Sequence, residues 1–164
     1  QEIKEIAQHA ADNVATMGVG LSPCVVPGKD EPMIDLGPDE IEYGIGNHGE
    51  AGVERSSMGS AEDITERLAG EVVTELGLEP DDRVATMVNG MGATPVGELY
   101  VVNNNLHSML QHEDIRIEQT WVGNYTTSLD MKGCSIVIMR LDDELCDLMS
   151  IPSQKPAFSP GRKI

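Results

Sequence analysis

A histidine set among four glycines is the most reactive arrangement in this chain. Residues 42–54 read Glu-Tyr-Gly-Ile-Gly-Asn-His-Gly-Glu-Ala-Gly-Val-Glu, which places Gly44, Gly46, Gly49 and Gly52 around His48. Glycine costs backbone entropy, so a cluster is kept where positive φ or the close approach of a ligand demands it. An imidazole flanked by bare backbone is open to a small molecule. A neutral imidazole is nucleophilic. Glu50, two residues on, is placed to orient that ring. The same residues also suit a plain hairpin turn with a solvated histidine, and the pattern alone does not choose between the two.

Other stretches offer weaker chemistry. Residues 89–95 (Asn-Gly-Met-Gly-Ala-Thr-Pro) read as strand end, glycine turn and helix start, a geometry whose free N–H groups can bind an anion. The turn lacks the Lys-Ser/Thr of a phosphate loop and the third glycine of a dinucleotide fingerprint, so a structural turn is favoured. Residues 123–130 carry hydroxyls that could line a pocket or simply stabilise turns. His9, His107 and His112 fall on helices and are expected to be solvated. His107 and His112 are five apart and do not share a helical face as paired ligands would. Two ligands, His48 and Glu50, are too few to argue for a metal. The carboxylates of Asp39, Glu40 and Glu42 read as exposed charge, and Asp142, Asp143 and Glu144 as a helix N-terminus.

Eleven Lys and Arg against 28 Asp and Glu give a net charge of −17. That balance argues against nucleic acid, which needs basic clusters, and against an anionic membrane surface. The three cysteines lie far apart with no Cys-x-x-Cys pair, a pattern of buried reduced thiols rather than a disulfide framework. No apolar run approaches the roughly 20 residues that span a bilayer. The chain opens on Gln1 rather than Met, as a piece of a longer protein would.

The elements that must hold His48 follow from periodicity. Ile3, Ile6, Ala10, Val14 and Met17 predict a helix over 2–17, with a short strand at 19–21. Residues 28–40, rich in Gly, Pro and Asp, are a surface loop, and 41–47 a strand entering the histidine loop. Ser60 is an N-cap with Asp63 three residues later, and Ile64, Leu68, Val72 and Leu76 mark a helix that Gly77 stops. Residues 83–89 predict a buried strand. Thr94 as N-cap and Pro95 as first helical residue open a helix to about Gln111, with Leu99, Val102, Leu106 and Leu110 inward. Residues 115–122 and 134–141 are strands, and 141–149 a last helix. Residues 1–150 form the folded unit and 151–164 a tail or linker. Strands alternating with helices predict an α/β chain with one sheet and helices packed on it.

Four stretches in this order resemble the dihydroxyacetone kinase family: Met17-Gly-Val-Gly-Leu-Ser-Pro-Cys24, the run from Glu42 to Gly52, Val88-Asn-Gly-Met-Gly-Ala-Thr-Pro95, and Gly123-Asn-Tyr-Thr-Thr-Ser-Leu-Asp-Met131. The match is to the second half of the dihydroxyacetone-binding unit and covers about residues 1–158. The resemblance implies that His48 attacks the carbonyl of dihydroxyacetone and holds it as a hemiaminal for phosphorylation. It further implies a two-layer sandwich with one mixed sheet, a homodimer and a cytoplasmic location. ATP, or ADP with Mg, would sit on a separate domain or subunit, with no cofactor in this chain. The preceding half of the unit, with its acid–base groups, would be missing, so this chain alone would be an incomplete kinase. Some relatives of this fold bind dihydroxyacetone only to regulate transcription, and a non-catalytic sensor is the alternative. The family loop commonly has a larger residue and Ser around the histidine and Pro after the Glu, where this chain has Asn47, Gly49 and Ala51.

Overall fold

The computed structural model describes residues 2–25, 27–28, 31–32, 34–48 and 50–152. Gly49 and residues 153–164, most of the expected tail, lie outside that set. The elements run α1 (Glu2–Asp12), β1 (Val14–Gly20), β2 (Glu40–Tyr43), β3 (Glu54–Ser57), α2 (Ala61–Leu76), β4 (Arg83–Gly90), α3 (Val96–His112), β5 (Arg116–Gly123), β6 (Gly133–Leu141) and α4 (Asp143–Ser150). The strands form one sheet in the order β3-β2-β1-β6-β4-β5. Only β4 and β5, the pair joined through α3, run parallel; the other described pairings are antiparallel. The expected α/β fold, a mixed sheet with helices packed on it, is the one observed.

Side chains alternate across a strand, so each face has its own composition. On one face Val19, Val84, Val88, Cys134, Ile136 and Ile138 meet Leu68 and Val72 of α2 and Leu99, Leu106 and Leu110 of α3 in a single apolar cluster. The opposite face is covered at one end only. There Ala85, Met139 and Leu141 pack with Ala10 of α1 and Leu145 and Met149 of α4. A third cluster (Cys24, Ile34, Leu36, Ile45, Met91 and Met131) closes the loop side.

The predicted helix 2–17 divides into α1 and β1. Ala15, Met17 and Val19 alternate toward the core with a period of two, while Val14 and Met17 continue the helical stripe, and seven paired positions with β6 decide for the strand. Asn13 marks the break: its amide donates to the His9 carbonyl and its own carbonyl accepts from the Arg140 N–H. The predicted strand at 19–21 is the end of β1. Strand β3, four polar residues at the sheet edge, was not expected at all.

Helix α2 forms as its sequence dictates. The Ser60 hydroxyl accepts from the Asp63 N–H while the Asp63 carboxylate accepts from the Ser60 N–H, and Gly77 ends the helix at φ 55°. Helix α3 starts differently. Pro95 is its N-cap, and no side chain caps the helix. The buried Thr94 hydroxyl turns instead to residue 133, donating to its carbonyl and accepting from its N–H, both at 2.7 Å. Tying the turn to β6 satisfies two buried backbone groups, whereas a helix cap satisfies one.

Candidate functional site

Strands β2 and β3 make a hairpin whose connecting loop, residues 44–53, carries His48. The base of the loop is pinned by backbone bonds. Gly44 N–H donates to the Gly18 carbonyl, and Val53 N–H to that of Tyr43. Gly44 stands at φ 76°, a conformation natural to glycine. At the tip, the Glu50 carboxylate folds back over the loop. One oxygen accepts from the His48 N–H at 3.0 Å; the other lies 3.3 Å from His48 Nδ1. These backbone N–H groups, Glu50's own first and then that of His48, hold the Glu50 carboxyl below its ordinary range. A β-carbon on Gly46 would collide with the Glu50 carboxylate, so any larger residue there would displace Glu50 from His48. The His48 side chain is 81% exposed. Its ring is braced on the Nδ1 side and open to solvent elsewhere.

Next to this loop the uncovered end of the second sheet face forms a cavity of about 390 Å³. Its floor is two rows across three strands: Thr16, Val137 and Met87 in register, then Gly18, Ser135 and Asn89. Gly46 and Asn47 form part of the rim on the loop side, and Thr126 contributes from the turn after β5. His48 itself is not among the lining residues. It projects from the rim beside Asn47.

Asn89 organises the far wall. Its side-chain oxygen accepts from the Tyr125 and Thr126 N–H groups, both at 2.8 Å, and its amide donates to the Thr126 carbonyl at 2.7 Å. One buried asparagine thus holds the hydroxyl-bearing turn at 123–130 against the sheet. The turn at 89–95 is structural, as expected. Met91 N–H donates to the residue 133 carbonyl and Ala93 N–H to that of Met131, which leaves neither for an anion.

The domain model described as "Dak1 domain" matches residues 1–157. The chain belongs to the Dak1 family. It is 41% identical over 93% of its length to the dihydroxyacetone-binding subunit of a PTS-dependent dihydroxyacetone kinase of Listeria innocua, covering 46% of that protein. This Dak1 chain therefore spans about half the length of such relatives. Among solved structures it superposes on a dihydroxyacetone kinase operon co-activator with a TM-score of 0.85 and 28% identity, covering 92% of this chain and 47% of that one. The dihydroxyacetone kinase of C. freundii in complex with AMP-PNP and Mg2+ matches at a TM-score of 0.77 and 26% identity, over 99% of this chain and 30% of that one.

Other sequence candidates of this Dak1 domain lie elsewhere. His9 is not simply solvated: its Nε2 lies 2.6 Å from Asp142, the N-cap of α4, and joins α1 to α4. The Leu145 N–H first, and then His9, hold the Asp142 carboxyl below its usual range. His107 is half-buried against Thr120 of β5, and desolvation lowers its pKa. His112 is exposed on α3 and bonds the Ser108 carbonyl. Glu42, expected as exposed charge, is buried: Gly52 N–H and Arg55 reach its carboxylate from the far strand of the hairpin. The three cysteines are free thiols, and burial pushes Cys134 up to about 12, where it is unreactive. Among the described residues no group of three or more His, Cys, Asp or Glu is placed to hold a metal ion. No helix among them is long and apolar enough to cross a membrane.

Proposed function

We propose that this chain holds dihydroxyacetone covalently on His48, as the second domain (residues 1–150) of a dihydroxyacetone kinase unit. The observation that carries the reading is the exposed, Glu50-braced ring of His48 at the rim of a cavity in a Dak1 domain. With Nδ1–H toward Glu50, the Nε2 lone pair is the free nucleophile. Attack on the ketone carbon forms an N–C bond, and the carbonyl π pair moves to oxygen, which takes a proton. The Nδ1 proton leaves to Glu50 or water, and the product is a neutral hemiaminal. No atom is lost, so the adduct is reversible.

The bond selects ketones over glycerol, whose carbons offer no carbonyl to attack. It also fixes a small substrate for in-line phosphoryl transfer, a reaction in which positioning is most of the catalysis. A nucleotide with Mg supplies the phosphoryl group and neutralises its charge. That group would sit on a separate subunit or domain. The remaining half of the unit supplies the acid–base groups, and the assembled protein works in the cytoplasm as a homodimer. The Listeria relative, named as the dihydroxyacetone-binding subunit of a kinase, supports this assignment.

The likeness to an operon co-activator favours a second reading, a dihydroxyacetone sensor that transfers no phosphate. Mass spectrometry of the chain under non-denaturing conditions tests the anchor. One dihydroxyacetone is gained by the wild type and none by His48→Ala; an adduct that survives in the variant refutes the assignment. Assay of the complete protein with its nucleotide-binding partner separates the readings, since a sensor keeps the adduct and forms no dihydroxyacetone phosphate.

A further inference from the structure

Glu42 is 5% exposed, on a strand whose neighbouring loop is open to solvent. One carboxylate oxygen accepts from the Gly52 N–H at 2.6 Å, and the other meets Arg55 Nε at 3.1 Å. Arg55 stands directly across from Glu42 in the β2–β3 register. Its Nη1 donates to the Asp35 carbonyl at 2.9 Å and lies 3.5 Å from Glu40. Gly52 has no room for a side chain, because a β-carbon there would strike the Tyr43 carbonyl and the Glu42 side chain. The return limb of the loop is thereby pressed onto Glu42.

A buried carboxylate is a poor way to stabilise a hairpin. Desolvation offsets much of its attraction to a cation, and an apolar residue of similar size often does as well. A charged acceptor does, however, impose direction, because it fixes where the N–H of Gly52 and the guanidinium of Arg55 must sit. Gly52 is two residues from Glu50, which in turn bonds the His48 N–H. We propose that Glu42 is a positioning residue for His48. Its carboxylate clasps the two limbs of the loop so that Glu50 and the imidazole present one nitrogen to a small ketone. This rests on the covalent reading above and adds the group that sets its geometry.

The experiment compares Glu42→Gln, Glu42→Ala and Ser60→Ala in the full chain. Ser60 caps α2 and serves as a control for lost stability. The concentration of dihydroxyacetone that half-saturates the adduct rises about tenfold or more in Glu42→Ala, which loses the bonds to both the Gly52 N–H and Arg55. Glu42→Gln keeps an oxygen for Gly52 and recovers part of the loss. Ser60→Ala stays at the wild-type concentration. A wild-type midpoint in both Glu42 variants overturns the clasp, as does a Ser60→Ala midpoint that moves equally. If Glu42→Ala does not fold, Glu42→Gln decides alone: a raised midpoint supports the clasp and an unchanged one overturns it. Should the wild type form no adduct, the covalent reading fails on its own, and amide hydrogen exchange then judges the clasp. Faster exchange confined to the 44–53 loop in Glu42→Gln supports it; exchange identical to wild type overturns it.

Discussion

Under α2 and α3 the sheet meets a continuous apolar layer in which Leu68, Leu99, Leu106 and Leu110 are fully buried. On the other face the same strands present Thr16, Ser135 and Asn89 to a cavity, and the neighbouring loop, anchored at its base by buried Ile45, is held at its tip by hydrogen bonds. The first face derives its stability from apolar area, a force without direction. The second is governed by directional contacts that fix where an imidazole stands. Stability and placement are therefore separable, and a substitution on one face should leave the property of the other intact.

The strongest attempt to break that separation is Leu106→Ala. Leu106 is wholly buried in α3, and its truncation costs about 2–5 kcal/mol through lost transfer energy and the cavity left behind. Denaturant unfolding should show this loss, while the protein that remains folded still forms the dihydroxyacetone adduct. His48→Ala is the mirror image, with the adduct lost and the unfolding free energy changed by less than about 0.5 kcal/mol, as for an exposed side chain. If Leu106→Ala abolished the adduct in folded protein, the two faces would be coupled.

Ser60→Ala asks the same question more gently. It removes the acceptor for the Asp63 N–H and one donor to the Asp63 carboxylate, at a cost of about 0.5–2 kcal/mol. Thermal unfolding reads the loss; a variant as stable as the wild type would show that the capping box is ornamental.

The covered face was the legible one. Helix α2 declares itself locally: Ser60, Asp63 and Gly77 mark its ends, and the spacing of Ile64, Leu68 and Val72 marks its face. Strand β1 was not legible, because Val14 and Met17 continue the helical stripe while Ala15, Met17 and Val19 alternate as a strand does, and only the pairing with β6 chooses between the two. Strand β3 (Glu-Arg-Ser-Ser) carries no apolar alternation, since an edge strand over solvent needs none. The cavity floor was invisible for another reason. Thr16, Val137 and Met87 become neighbours only through the strand order β1-β6-β4, which no local pattern encodes. Glu42 hid because its partner, Arg55, is 13 residues away across a hairpin. His48 and Glu50 were conspicuous as a glycine-flanked pair, but the role proposed for them came from the resemblance of four motifs rather than from spacing.

The smallest effect tests whether the apolar face is as indifferent to direction as the comparison supposes. Within that layer Thr86, Thr120 and His107 form a polar chain, with 2.9 Å between the two hydroxyls and 2.9 Å from Thr120 to His107 Nε2. Burial disfavours the charged ring and lowers the His107 pKa below its ordinary 6.5. The unfolded chain therefore binds the proton more readily, and its stabilising effect on the unfolded state grows as pH falls from above 6.5 through the lower folded value. His107→Gln keeps a hydrogen-bonding side chain and cannot titrate. The difference in unfolding midpoint between wild type and His107→Gln should drift against the wild type as pH is lowered from 8 to 5. A difference that stays flat over that range would mean that His107 is solvated after all, and that this face holds nothing whose protonation state matters.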